Sequence, residues 1–151
     1  MDEGEMPGSG SLLAARVEAA LAFAWRVEGD LEAGRGLFAA HEHLALQVVR
    51  SYRGYGLDHA ELTRQARLGL AAAVDHYDPA SGARLARYAL PWIEARVQSA
   101  LLRAWPSLPD RSPRAHRRLY LSMVRTREDL ATLGDGEGVA FEEELASRLL
   151  H

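Results

Sequence analysis

Apolar residues in this chain recur every three or four positions in five stretches set apart by glycine and proline, and nowhere alternate over a length that suits a strand. The spacing predicts an all-α, compact domain of about five helices. From Leu12 to Glu28 the stripe is Leu13, Val17, Leu21, Ala24 and Val27, and Gly29 ends it. A second helix is predicted from about Leu37 to Tyr52, burying Leu37, Leu44, Val48 and Phe38 and stopping at Arg53-Gly54-Tyr55-Gly56. Asp58 precedes Glu61 by three positions, the layout of an N-cap with an acidic residue in the first turn, and opens a third helix from His59 to about His76. Its buried stripe is Leu62, Ala66, Leu70, Ala73 and Tyr77. After the turn residues Asp78-Pro79-Ala80-Ser81-Gly82, a fourth helix is predicted from Ala83 to about Trp105. Leu85, Tyr88, Ala89, Trp92, Val97 and Leu101 lie on neighbouring rungs, and Pro91 interrupts the hydrogen-bond ladder. Ser112 and Pro113 supply an N-cap and a first-turn proline for a fifth helix to about Leu130.

Both ends read differently. Residues 1–11 are glycine, serine and acid and predict a disordered leader ahead of a domain spanning 12–131. Residues 132–151 form an acidic C-terminal tail, with a glycine-rich loop at 134–138 and one last short acidic helix within 140–150. Length and composition agree with one soluble domain: 151 residues, 48% hydrophobic and 26% charged. The lack of cysteine removes disulfides, thiol catalysis and thiolate zinc sites, and with the acidic start predicts a cytoplasmic protein without a signal peptide. No apolar run is long enough to cross a membrane. His41 and His43 are two apart and diverge on a helix, and no phosphate loop or nucleophile elbow is present, so neither metal, cofactor nor catalysis is expected.

Net charge is −3, yet Arg84–Arg127 holds ten arginines against Glu94 and Asp110. That surplus of positive charge suits nucleic acid, although an arginine-rich helix is more often a solvated face.

Residues 43–130 resemble region two of bacterial sigma factors, most closely the heat-shock branch. The resemblance is carried by His43-Leu44-Ala45-Leu46-Gln47-Val48-Val49 and Tyr52-Arg53-Gly54-Tyr55-Gly56-Leu57, then by Gly69-Leu70, Ala73-Val74-Asp75 and Tyr77-Asp78-Pro79. It continues through Tyr88-Ala89, Trp92-Ile93, Gln98, Leu102-Arg103, Trp105 and Ala115-His116-Arg117-Arg118-Leu119-Tyr120. Residues 12–42 resemble the helix that precedes this region. The resemblance implies a non-enzymatic transcription factor that binds the core RNA polymerase, through a coiled coil of its largest subunit, and contacts promoter DNA as the non-template single strand. It places Tyr88 and Trp92 as aromatics that capture unpaired bases, Gln98 as a reader of a base edge, and Arg96 and Arg103 within reach of phosphate. Glu61, Arg64, Gln65, Arg67 and Leu68 fall in the polymerase-binding stretch.

Several positions depart from the family pattern. Leu85 replaces an aromatic, Arg87 a small hydroxyl residue, Pro91 part of the wedge and Glu94 a basic residue, so that Glu94 sets a negative charge near the expected DNA path. Arg64-Gln65-Ala66 stands where the family has Gln-Glu-Gly. The family's helix-turn-helix that reads the upstream promoter element is not found before His151, which implies a second transcription factor supplying promoter specificity, in initiation or antitermination. A minimal functional sigma factor is one alternative. The other is a mimic that engages an anti-sigma protein or polymerase without touching DNA.

Overall fold

The computed structural model describes residues 9–133, with side chains from Ala14. They form five α-helices: α1 (Ser9–Arg26), α2 (Leu31–Tyr52), α3 (His59–His76), α4 (Leu85–Ala104) and α5 (Pro113–Thr132). Single 3-10 turns cover Arg53–Tyr55, Pro79–Ser81 and Trp105–Ser107, and no strand occurs among the described residues. The all-α expectation therefore holds. The acidic tail from residue 134 onward and residues 1–8 of the leader lie outside the described residues. Residues 9–11, assigned to the leader by composition, belong instead to α1.

Capping chemistry fixes three helix starts. Asp58 accepts the Glu61 N–H at 3.2 Å, and Ser112 accepts the Ala115 N–H at 3.2 Å ahead of Pro113. Both caps fall where the sequence places them. Asp30 accepts from the Glu32 and Ala33 N–H groups at 3.0 and 3.3 Å, so α2 begins six residues before the expected Leu37. Gly34 and Gly36 disguise that first turn. Gly34 is there for space: a Cβ at this position would lie 2.7 Å from ring carbons of Trp25 on α1.

The interior is built chiefly where α3 lies along α4, with α2 packed against both, α1 laid on α2 and α5 on α4. Leu62, Ala66, Leu70 and Ala73 of α3 meet Leu85, Ala89, Ile93, Val97 and Leu101 of α4 in one continuous core. Gly69 lets the two backbones touch. A Cβ there would sit 2.8 Å from Ile93 Cα and 3.0 Å from the Trp92 carbonyl oxygen. Inside α4, Pro91 has no N–H to give the Arg87 carbonyl, four residues back.

The face of α1 differs from the expected stripe. Of that stripe Val17 and Val27 are 53% and 66% exposed and Leu21 packs half-buried against the core, whereas Ala22 and the charged Glu18 are buried. A polar residue at a core-facing position hides the true inner face from any reading of apolar spacing.

Candidate polymerase- and DNA-binding surfaces

On α3, the five residues expected to meet polymerase divide into two sets. Arg64 and Arg67 are exposed and Leu68 and Glu61 half-buried, so these four reach the surface. Arg64, Arg67 and Leu68 line a shallow groove with Phe38, His59 and Thr63. Arg67 donates to Glu42 of α2 at 2.9 Å, with its guanidinium 5.7 Å from the Phe38 ring centre. Gln65 is 4% exposed and does not present itself to a partner. It is instead the hinge of a hydrogen-bond chain.

That chain joins the two predicted sites. Arg64 donates to both Glu61 carboxylate oxygens at 3.3 and 3.0 Å, and the Gln65 amide donates to Glu61 Oε1 at 2.7 Å. On its other side the Gln65 carbonyl oxygen accepts from Arg96 Nε at 2.9 Å. The hydrogen bonds from Arg64 and then Gln65 hold the Glu61 carboxyl below the usual carboxylate range, with the Arg64 and Arg103 charges adding to them. The Gln65 side chain thus ties Arg96 of α4 to α3.

Where α4 meets the end of α3, aromatic rings form a row running outward from the core. Tyr77 lies 5.4 Å from Tyr88, Tyr88 lies 5.9 Å from Trp92, and Trp92 stacks with His76 at 4.9 Å and an interplanar angle of 29°. Only the outer end reaches solvent: Trp92 is half-buried and His76 exposed, whereas Tyr88 is 5% exposed. Tyr88, expected to capture an unpaired base, is the buried ring against which Trp92 packs. The Trp92 indole N–H is buried and finds no hydrogen-bond partner among the described residues. Arg103 is exposed at the last turn, where a phosphate can reach it.

Gln98, expected to read a base edge, is turned inward. It is 2% exposed, and its amide nitrogen donates to Tyr52 Oη at 2.8 Å and to Thr126 Oγ1 at 2.9 Å. Thr126 in turn donates to Glu94 at 3.0 Å. Gln98 therefore binds α2, α4 and α5 together. Glu94 is likewise engaged with α5. Burial pushes its carboxyl above the usual range, against the Thr126 hydrogen bond and the Arg125 charge. Burial and the nearby Glu94 charge also push the Tyr52 hydroxyl up to about 12.

Apolar spacing and family pattern point neither to His76 as a ring partner nor to Glu18. His76 ends α3 beside a turn, and its stacking depends on how α3 lies along α4. Glu18 sits in an apolar helix yet accepts hydrogen bonds from two residues of the distant α4 start. On α5 the charges of Arg114, Arg117, Arg118, Arg125 and Arg127 face solvent, and Arg118 stacks 4.7 Å above Tyr55. Among the described residues no cluster of histidine and carboxylate suits a metal ion, and no helix is long and apolar enough to cross a membrane.

Residues 37–107 of this all-α domain match Sigma-70 region 2. That domain belongs to the Sigma-70 region 2 family, and the relatives it matches are bacterial sigma factors. It is 39% identical over 122 residues to the RNA polymerase sigma-C factor of Myxococcus xanthus, covering 80% of this chain and 41% of that protein. Against the RNA polymerase sigma-B factor of the same organism it is 33% identical over 113 residues, covering 75% and 46%. Against the RNA polymerase sigma factor RpoH of Caulobacter vibrioides it is 31% identical over 117 residues, covering 78% and 40%. The chain thus spans less than half the length of these relatives.

Proposed function

We propose that the chain is a sigma-like transcription regulator that docks on core RNA polymerase through the surface of α3 and offers the outer end of its aromatic row to unpaired promoter DNA. In this reading Glu61, Arg64, Arg67 and Leu68 meet the polymerase. Trp92, backed by Tyr88 and flanked by His76, stacks on a base, while Arg103 holds phosphate. Unstacking a base costs a few kcal/mol per step, and stacking on an aromatic ring returns about 1–3 kcal/mol. No bond is made or broken, so no catalytic residue is needed. The observation that carries the reading is the Arg64–Glu61–Gln65–Arg96 chain, because it sets the docking face and the ring-bearing helix in one fixed relation. Upstream promoter specificity comes in this reading from a segment other than the one described, such as a second transcription factor.

The test is co-elution of the intact chain with purified core polymerase, repeated with Arg64→Glu and Leu68→Ala together. Binding by the parent and its loss in the variant, with helix content unchanged, is the expected result. A parent that does not bind core polymerase sinks the reading. Binding that survives the double change moves docking away from α3. The burial of Tyr88 and Gln98 favours one alternative, a mimic that engages polymerase or an anti-sigma protein without DNA.

A further inference from the structure

The helix that carries the aromatic row lacks a cap of its own. Arg84 occupies the N-cap position of α4 and makes no side-chain cap hydrogen bond. An uncapped start leaves N–H groups unsatisfied, and Leu85 is buried, where water is not at hand to replace a partner. The missing acceptor arrives from 67 positions away: Glu18 Oε2 of α1 accepts the Leu85 N–H at 2.9 Å.

The same carboxylate is held from every side. Arg84 Nε and Nη2 donate to its two oxygens at 3.1 and 3.2 Å, Tyr77 Oη lies at 3.2 Å from Oε2, and His41 Nε2 at 3.6 Å from Oε1. Glu18 is itself 6% exposed. Burial raises its pKa, but the Arg84 hydrogen bond, the Leu85 N–H, the Arg84 charge and the Tyr77 hydroxyl together bring it below the usual carboxylate range. A carboxylate at a helix N-terminus also meets the positive end of the backbone dipole. Tyr77 is the innermost ring of the row that runs to Tyr88 and Trp92, and its hydroxyl donates to the Ala83 carbonyl at 2.6 Å, just ahead of α4.

We infer that Glu18 is a positioning residue for DNA contact: docking of α1 caps α4 in trans and sets Tyr77, and through them fixes where Trp92 stands. It touches no DNA. The inference rests on the reading of Trp92 as a base-stacking ring, but its structural half does not.

The experiment uses the full chain with Glu18→Ala, Arg84→Ser, and both changes together. Serine at position 84 supplies α4 with the local cap it lacks. Two quantities are read: amide hydrogen exchange at residues 85–88, and the affinity for a fluorescent single-stranded oligonucleotide. Glu18→Ala is expected to speed exchange at 85–88 about fivefold to tenfold, the loss of one cap, and to weaken binding by a similar factor. Arg84→Ser in the Glu18→Ala background is expected to recover most of the protection and most of the affinity. A role confined to fastening α1 onto the bundle predicts no such rescue, so unrecovered exchange in the double variant overturns the inference, as does unchanged exchange in Glu18→Ala. Should Glu18→Ala unfold the chain, Glu18→Gln, which keeps one acceptor oxygen for Leu85, is expected to keep most of the protection at 85–88, and fast exchange there in a folded Glu18→Gln overturns the inference. If the parent binds no single strand, the DNA reading falls alone and the exchange at 85–88 still decides whether Glu18 caps α4.

Discussion

Gln98 illustrates how a residue type at a family position is an incomplete guide to its task. The resemblance marks it as a base reader, and the fold turns its amide inward onto Tyr52 and Thr126. The two roles predict opposite experiments. Gln98→Ala leaves two buried hydroxyls short of a partner and opens space, so it is expected to cost about 2–4 kcal/mol in urea unfolding. Single-strand affinity per folded molecule is expected to stay unchanged. A variant of parental stability that binds DNA poorly reverses the assignment. Glu94, at the other end of the same network, supplies a pH dependence. Its carboxyl is raised by burial, so between the ordinary value near 4.5 and the raised one the folded chain holds a proton that the unfolded chain has released. Stability is therefore lost as pH climbs through that interval. Glu94→Gln, which keeps an acceptor for Thr126 without a charge, should match the parent below pH 4.5 and exceed it increasingly above. Parallel stability curves for the two across that range contradict the assignment. Neither role was legible in the sequence, because each depends on how close α5 comes to α4.

At the level of helices, legibility follows the physics that acts locally. The starts of α3 and α5 were readable because Asp58 and Ser112 act on amides three residues on. The start of α2 was not, because Gly34 and Gly36 look like a break unless Trp25 is known to lie against the first of them. The inner face of α1 was hidden for a related reason: Glu18 is buried by partners in the chain's second half. Of the candidate site, the surface of α3 was legible from the family pattern, whereas the burial of Gln65 and Tyr88 was not. These glycines differ in a way that can be measured. Gly69→Ala drives a Cβ into the backbone of α4 and is expected to cost about 1–3 kcal/mol. Gly36→Ala meets nothing within 4 Å and is expected to gain up to about 1 kcal/mol from helix propensity. Thermal unfolding of the two single variants checks this, and a stabilising Gly69→Ala excludes the close α3–α4 contact.

At the level of the whole molecule, the charges are segregated. A chain of net charge −3 should repel nucleic acid, yet ten arginines lie between residues 84 and 127, and those of α5 face solvent. Net charge governs the far field, which salt screens over roughly 8–10 Å, so contact at a basic face is decided by the local arginines. Releasing counterions from a single strand gives a log–log salt slope of about −0.7 per phosphate contact. If Arg87, Arg96 and Arg103 along α4 each meet one phosphate, the slope between 50 and 200 mM salt is about −2. Arg103→Ala then flattens it by about 0.7, while Arg117→Ala on α5 leaves it unchanged as long as the strand follows α4 alone. Anisotropy of a labelled oligonucleotide measures all three. A slope that Arg117→Ala reduces and Arg103→Ala does not would move the strand onto α5 and detach it from the Trp92 end of the aromatic row. A chain that binds polymerase with no salt-dependent DNA affinity would leave the arginines as a solvated face, the outcome that a mimic requires.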